Sequence, residues 1–324
     1  RGFYYGSDQY IWAREFLSLD PERPREIEID KHWYHWMLWG RLGYNPRLGN
    51  DRLIKILQAR FPRIDAARLF TAWQSASMIY PLTTGFHWGS LDFQWYIEAC
   101  KSRPGPAQTE SGFHDVKRFI TLPPHPSTDY VSIPDFVQAR LDDREVDGTT
   151  PIELSQQIHE NADREVAILD TLDPGDSREL RKTLNDIRAM ACLGKYYGHK
   201  IRGATELALY RAGKKEDNQT RAIDELTRAA ECWKRYMDTA MQQYKNPLWT
   251  NRVGICDWRA LMDEVLNDIR VAGGEPRLRS ASPTPGGTVL EVDAATKTDG
   301  AIAWSFVAPR DGTYTLELRY ALKD

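Results

Sequence analysis

The sequence predicts a mainly α-helical chain that ends in a short antiparallel β-segment. Apolar residues recur at spacings of three and four along most of the chain up to about residue 271, which is typical of amphipathic helices. Near the end the period changes to two: Tyr314, Leu316 and Leu318 alternate with polar residues after an Asp311-Gly312 turn. This change of period separates a helical region from a strand region.

Three helices are predicted in the first 90 residues. They cover about 30–44, 50–61 and 65–79, and we expect prolines 46, 62 and 81 to end them. Asn50 is the predicted cap of the second helix. A proline-rich stretch, 102–135, is predicted to be a long loop.

A second helical region is predicted from Thr150 onward. The sequence TPIE combines a capping box with proline at the first helical position, so a helix should begin there and run to about Leu172. Three further helices are predicted at about 176–212, 219–245 and 256–271.

These patterns divide the chain into four parts. Residues 1–149 hold the first helices and the long loop, 150–272 a helical domain, 273–287 a Pro, Gly and Ser linker, and 288–324 about three antiparallel strands. A β-sandwich normally has about seven strands, so we expect the last part to be a truncated β-sandwich in a piece of a longer polypeptide. On its own this segment should be poorly ordered.

Composition and motifs exclude several functions. The 43 basic and 46 acidic residues nearly cancel, without a long run of like charge, which argues against a nucleic-acid partner. No apolar stretch reaches the roughly 18 residues of a membrane helix, so we expect no membrane insertion. Phosphate-binding glycine motifs and the nucleophile motif GxSxG do not occur, and no cofactor is expected.

Metal binding is not predicted either. His159 and Glu160 resemble the start of HExxH, but Asp163 stands where the second histidine is required. His32 and His35 lie three apart on a predicted helix and could share a metal. Since no third ligand is evident, we interpret them as packing or hydrogen-bonding residues.

Tryptophan is concentrated early in the chain. Of the 11 tryptophans, those at positions 12, 33, 36, 39, 73, 88 and 95 precede residue 100. An indole suits the apolar C–H face of a sugar ring, yet Trp33, Trp36 and Trp39 at helical spacing favour a core role.

The segment GFHWGSLDFQWYIEAC, 85–100, is the stronger candidate for a sugar site, because its glycines should break regular structure. We expect His87, Trp88 and Asp92 to be partly exposed side by side. Phe93, Ile97 and Cys100 should form the buried stripe of a short helix, and Trp95 should lie off that stripe. The competing interpretation is that Trp88 belongs to the core.

The segment HWMLWGRLGYNP, 35–46, resembles a signature of family 67 glycoside hydrolases, the α-glucuronidases, where a (β/α)8 barrel passes into a helical C-terminal domain. GFYYGSDQYIW, 2–12, is similar to the segment before that signature, and SMIYPLTTGFHWG, 77–89, to a later helix and loop. The resemblance covers about the first hundred residues. It implies that residues 1–149 contain the end of the barrel, and that Asp8 and Trp12 bind substrate together with His87, Trp88, Asp92 and Trp95. Residues 288–324 are more similar to carbohydrate-binding modules of the family 6 and 35 type.

The resemblance also implies an activity. Such enzymes hydrolyse glycosidic bonds in plant or algal polysaccharide with inversion, using one carboxylic acid and one carboxylate. We expect an oligosaccharide or polysaccharide partner and a secreted or periplasmic location. The favoured competing interpretation of Asp8 is a helix-capping or turn residue, so the catalytic pair is not assigned. We expect no glycosidase turnover by this chain alone, because most of such a barrel would precede Arg1.

Two other functions stay open. One is a helical-repeat interaction module, suggested by ATELALYRAG and AIDELTRAAECWKRY in the second helical region. The other is a carbohydrate-binding protein without catalysis.

Overall fold

The computed structural model describes residues 19, 28–88, 95–96, 101–102, 113–250, 254–276, 296–298 and 301–303. Within them the chain is mainly helical, as predicted. The chain divides into two compact units, 1–279 and 280–324. In the second unit the described residues form one antiparallel hairpin, strands β5 (Thr296–Thr298) and β6 (Ala301–Ala303). The other predicted strands lie outside the described residues.

The first four helices of unit 1 are α1 (Glu28–Lys31), α2 (Trp33–Tyr44), α3 (Asn50–Arg60) and α4 (Ala66–Phe86). The predicted helix 30–44 is thus interrupted at His32. Asn50 is the first residue of α3 rather than its cap, which is Gly49. Asp65 caps α4, and its carboxylate accepts hydrogen bonds from the backbone N–H groups of Ala67 and Arg68.

The prediction that Pro81 ends its helix is wrong, because α4 continues to Phe86. Proline removes one N–H, which leaves the carbonyl of the residue four positions earlier without its helical donor. Pro81 and Ser77 both lie on the exposed side of α4, where water can reach that carbonyl. Leu82 and Phe86 are buried beyond the proline, so their packing favours continuation of the helix.

Regular structure lies within the stretch predicted to be a loop, 102–135, and just before it. Strands β1 (Trp95–Tyr96) and β2 (Lys101–Ser102) pair with each other, so the short helix predicted at 93–100 is wrong for Trp95 and Tyr96. Two helices follow, α5 (Val116–Thr121) and α6 (Ile133–Leu141), capped by the side chains of Asp115 and Ser132. Local caps were sufficient to begin helices within a proline-rich segment.

The second helical region follows the prediction closely. It consists of α7 (Pro151–Leu169), α8 (Arg178–Gly213), α9 (Glu216–Met241) and α10 (Trp258–Val271), with a hairpin of β3 (Leu248–Thr250) and β4 (Gly254–Cys256) before α10. The capping box is confirmed: the Thr150 hydroxyl accepts from the Glu153 N–H, and the Glu153 carboxylate accepts from the Thr150 N–H.

Helix α8 is the central element. Its 36 residues extend over about 54 Å at the usual helical rise. It packs against α4, α5, α6, α7 and α9. Apolar side chains form two core clusters along α8. The first cluster lies among α2, α3, the start of α4 and the start of α8. The second cluster lies among the end of α4, the rest of α8, and helices α5, α7, α9 and α10.

Candidate functional site

The end of α4 places Trp88 at the surface, where its side chain is half-buried. Its backbone N–H donates to the carbonyl oxygen of Pro123 at 3.0 Å. Its indole meets the imidazole of His125 edge to face, with 4.3 Å between ring centroids. We call Trp88 and His125, with the supporting loop 122–131, the Trp88 platform.

The loop of the platform is tied to α4 by backbone contacts. The His125 N–H donates to the Gly85 carbonyl at 2.7 Å, and the His125 carbonyl accepts from the Thr128 N–H at 3.0 Å. The Tyr130 ring lies so close to Gly85 that an added Cβ would stand 3.1 Å from its Cε2 atom. Glycine at position 85 therefore permits the loop to approach the helix.

His87 lies beneath the platform in a buried polar network. It is only 2% exposed, and its Nε2 atom is 2.8 Å from Nδ1 of His114. Its ring stacks on Phe119 at 3.9 Å. Burial, followed by the nearby His114 and by the charges of Lys200 and Arg118, lowers the pKa of His87 well below its ordinary value.

His114 has the same character. Burial and the charges of Arg118 and Lys200 lower its pKa to about 3. Both imidazoles are therefore neutral at physiological pH, and one donates its N–H to the other.

A buried ion pair completes the network. The Lys200 ammonium on α8 lies 2.8 Å from the Asp268 carboxylate on α10, and both side chains are almost fully buried. Lys200 also donates to the His114 carbonyl oxygen at 2.7 Å and to the Tyr196 hydroxyl at 3.0 Å. The other Asp268 oxygen accepts from the Val116 N–H at 2.7 Å, at the start of α5.

This pair is fully hydrogen-bonded, which a buried charge requires. Burial raises the pKa of Asp268, and Lys200 opposes that rise. The network therefore joins the end of α4 to α5, α8 and α10. Its members are too deeply buried to contact a ligand directly.

A third group joins α7, α8 and α9. The His199 Nδ1 atom is 2.7 Å from the Glu225 carboxylate, and the His159 ring lies 4.3 Å from the His199 ring. Burial lowers the pKa of His159 to about 4. Asp163 pairs with Lys195 at 2.6 Å.

The structure separates the predicted site residues. Trp88 is partly exposed as expected, but the expected exposure of His87 is wrong, because α4 carries it into the core beside Phe119. For Trp95 the structure describes only the backbone, in β1. Asp8, Trp12 and Asp92 lie outside the described residues.

Sequence reasoning missed His125, which takes the place expected of His87 as the imidazole beside Trp88. The pattern His125-Pro126-Ser127 offered a signal, since a serine two positions after a histidine can bond to its ring, and the Ser127 hydroxyl lies 2.6 Å from His125 Nδ1. What the sequence could not show is that this turn folds back onto the end of α4.

The aromatic residues of α2 are only partly core. Tyr34 is buried against Trp73, with ring centroids 4.5 Å apart. Trp33 is partly buried and lies against the Arg60 guanidinium. Trp39 is 48% exposed, so the expectation that it fills the core is wrong.

His35 contacts the rings of Trp36 and Trp39, as expected for a packing histidine. Among the described residues, no group of three or more histidine, cysteine or acidic side chains is arranged to hold a metal ion. No helix in the described ranges has the length and apolar character needed to cross a membrane.

Comparison with known proteins identifies a fold. The solved structure of a GH138 enzyme targeting pectin rhamnogalacturonan II matches 79% of this chain with a TM-score of 0.61 and 17% sequence identity. The match covers 39% of that enzyme's chain. No protein-family model matches the sequence, and no curated protein matches it. The helical chain therefore shares its fold with part of a glycoside hydrolase.

Proposed function

We propose that this chain is the helical portion of a glycoside hydrolase that degrades plant or algal polysaccharide. The observation that carries the proposal is the fold shared with part of a GH138 enzyme over 79% of the chain. The half-buried Trp88, fixed by backbone contacts, supports it, since aromatic surfaces with a few placed polar groups are typical of sugar sites.

A finer proposal follows from the family 67 signature at 35–46. Under this finer proposal, the parent enzyme is α-glucuronidase-like and inverting. The last strands belong to a carbohydrate-binding module, and the protein is secreted or periplasmic. Asp8, Trp12, Asp92 and Trp95 remain proposed substrate-binding residues together with Trp88.

The test is binding and hydrolysis by the chain. Affinity electrophoresis in gels with polygalacturonan, glucuronoxylan or starch should show retardation by an acidic plant polysaccharide and not by starch. Equal mobility in all gels would contradict the proposal. Release of nitrophenol from aryl glucuronides by this chain would contradict the expectation that it has no glycosidase turnover.

The alternative of a helical-repeat module has less support. Helices α7, α8 and α9 have 19, 36 and 26 residues, whereas stacked repeats need units of similar length. Binding of starch and acidic polysaccharide with no hydrolysis by the full-length parent would favour a carbohydrate-binding protein instead.

A further inference from the structure

The ring orientation of His125 is set by its own loop. Nδ1 accepts a hydrogen bond from the backbone N–H of Ser127 at 3.0 Å. A backbone N–H can only donate, so Nδ1 carries the lone pair, and the neutral imidazole carries its proton on Nε2. The Ser127 hydroxyl, 2.6 Å from the same atom, is compatible with this arrangement, because a hydroxyl can also donate to Nδ1. His125 therefore offers one N–H donor on the edge of its ring away from Ser127.

That donor stands beside an apolar surface. The imidazole is perpendicular to the Trp88 indole, with an interplanar angle of 86°. Both side chains are half-buried, so each keeps part of its surface open to solvent. An indole and an imidazole perpendicular to it provide two different kinds of contact, an apolar face and an N–H donor, for one small ring.

The two groups are held in place before any ligand arrives. The Thr128 hydroxyl donates to the His125 carbonyl at 2.7 Å, in addition to the bonds that tie the loop to Gly85. At the far end of the loop the Val131 N–H donates to the Thr149 carbonyl at 2.9 Å. Such preorganisation reduces the entropy lost on binding.

We propose that Trp88 and His125 form a binding subsite for one pyranose unit, which stacks on the indole while an oxygen of the sugar accepts a hydrogen bond from His125 Nε2. This inference rests on the proposed function and adds a specificity-determining residue to it. The accepting oxygen belongs either to a hydroxyl or to the carboxylate of a uronic acid. His125 is thereby assigned to ligand recognition rather than to the fold.

The experiment is titration calorimetry of the chain with two probes, trigalacturonic acid and the neutral galactotriose. Trp88→Ala should weaken binding of the preferred probe by about tenfold or more, because the stacking surface is lost. His125→Phe keeps a flat ring against the indole and removes the donor, so it should weaken binding about fivefold, the value of one hydrogen bond. A larger His125→Phe effect on trigalacturonic acid identifies the carboxylate, and a similar effect on both probes identifies a hydroxyl.

The control is Tyr44→Ala, which removes a 92% exposed aromatic ring elsewhere on the surface and should leave affinity unchanged. Melting temperatures within about 2 to 3 °C of wild type, the shift from a small stability change, show that a variant is folded.

If the wild-type chain binds a probe and both variants bind equally well, the subsite is overturned and the proposed function stands. If the wild-type chain binds neither probe, both fail. If His125→Phe unfolds, the folded Trp88→Ala variant decides: unchanged affinity of that variant for the probe overturns the subsite.

Discussion

Glu165 on α7 is a buried acid without a hydrogen-bond partner among the described residues. Its relative exposure is 0%, and burial raises its pKa to about 9, although Lys195 opposes the rise. The carboxyl is therefore protonated in the folded protein at neutral pH, whereas in the unfolded chain it is ionised. Folding must take up a proton at this residue, so stability is lost as pH rises above the unfolded pKa of about 4.5, and the loss grows until pH reaches about 9.

Glu165→Gln should therefore stabilise the protein at pH 7 by about 3 kcal/mol, the cost of protonating the acid at that pH. The gain should vanish below about pH 4.5, where the unfolded chain is also protonated. Urea unfolding at pH 7 and pH 4 measures it, with Glu160→Gln on an exposed face of α7 as control. A gain that is equal at both pH values would contradict the protonated state.

His114 carries the opposite dependence on pH. Its folded pKa of about 3 lies below the ordinary value of 6.5, so the unfolded chain binds a proton first as pH falls. The contribution of His114 to the free energy of unfolding is thus complete above about pH 6.5 and is lost as pH falls toward 3. His114→Asn keeps a polar atom at the Nδ1 position. It should reduce the loss of unfolding free energy between pH 7 and pH 4.5 by about 1 to 3 kcal/mol.

The measurement for His114 is urea unfolding at both pH values, with the exposed His32→Asn as the matched control. An unchanged pH dependence in His114→Asn would show that other groups take up the protons.

At the scale of elements, the Lys200–Asp268 pair joins α8 to α10. Lys200→Met leaves a buried carboxylate without its cation and should cost about 3 to 5 kcal/mol. Lys200→Met with Asp268→Leu removes both charges and should cost less than Lys200→Met alone. Lys234→Met breaks a surface pair of 2.6 Å and should cost less than about 1 kcal/mol. Urea unfolding of these variants, the single Asp268→Leu variant and the wild type decides. A double variant whose cost equals the sum of the two single costs would mean that the two buried charges do not interact.

Helices α8 and α9 approach closely at Gly203. An added Cβ there would lie 2.7 Å from Cγ of Leu226, the branch point of a buried side chain. Gly203→Ala should therefore lower the free energy of unfolding by about 1 to 3 kcal/mol, although alanine is the better helix former. At Gly213 the nearest atom would be 3.7 Å away, so Gly213→Ala should be neutral or stabilising.

Thermal melts of both alanine variants test this contact. Combining Gly203→Ala with Leu226→Ala should cost less than the sum of the two single changes, because the leucine then no longer crowds the new methyl group. A stabilising Gly203→Ala would mean that the two helices can separate freely.

The helices could be predicted from local sequence signals. The predictions that failed share one cause, which is packing against residues that the local signal does not include. The Thr150 capping box depends on four consecutive residues and is confirmed. Pro81 failed as a stop signal because apolar residues beyond it pack into the core. Trp88 was found as a partly exposed aromatic, but His87, His125 and the Lys200–Asp268 pair depend on contacts between distant segments, which spacing along the chain cannot show.

At the scale of the whole molecule, the boundary between the two compact units falls at 279/280. Limited proteolysis should cut within the linker predicted at 273–287 before it cuts the helices, since buried and hydrogen-bonded backbone resists proteases. Mass spectrometry of the first product should show a piece ending near residue 280. Long resistance there, or first cuts inside α8 or α9, would contradict this prediction.

Helix α8 passes through both core clusters, and this has a thermal consequence. If the cluster around α3 and the start of α4 came apart, the first half of α8 would lose its partners, and the turns behind it would fray toward the buried Tyr196 and Lys200. Neither half of the helical unit can therefore melt while the other stays intact. Heating should unfold it in one cooperative step. A destabilising substitution at either end should therefore weaken the packing of α8 along its full length.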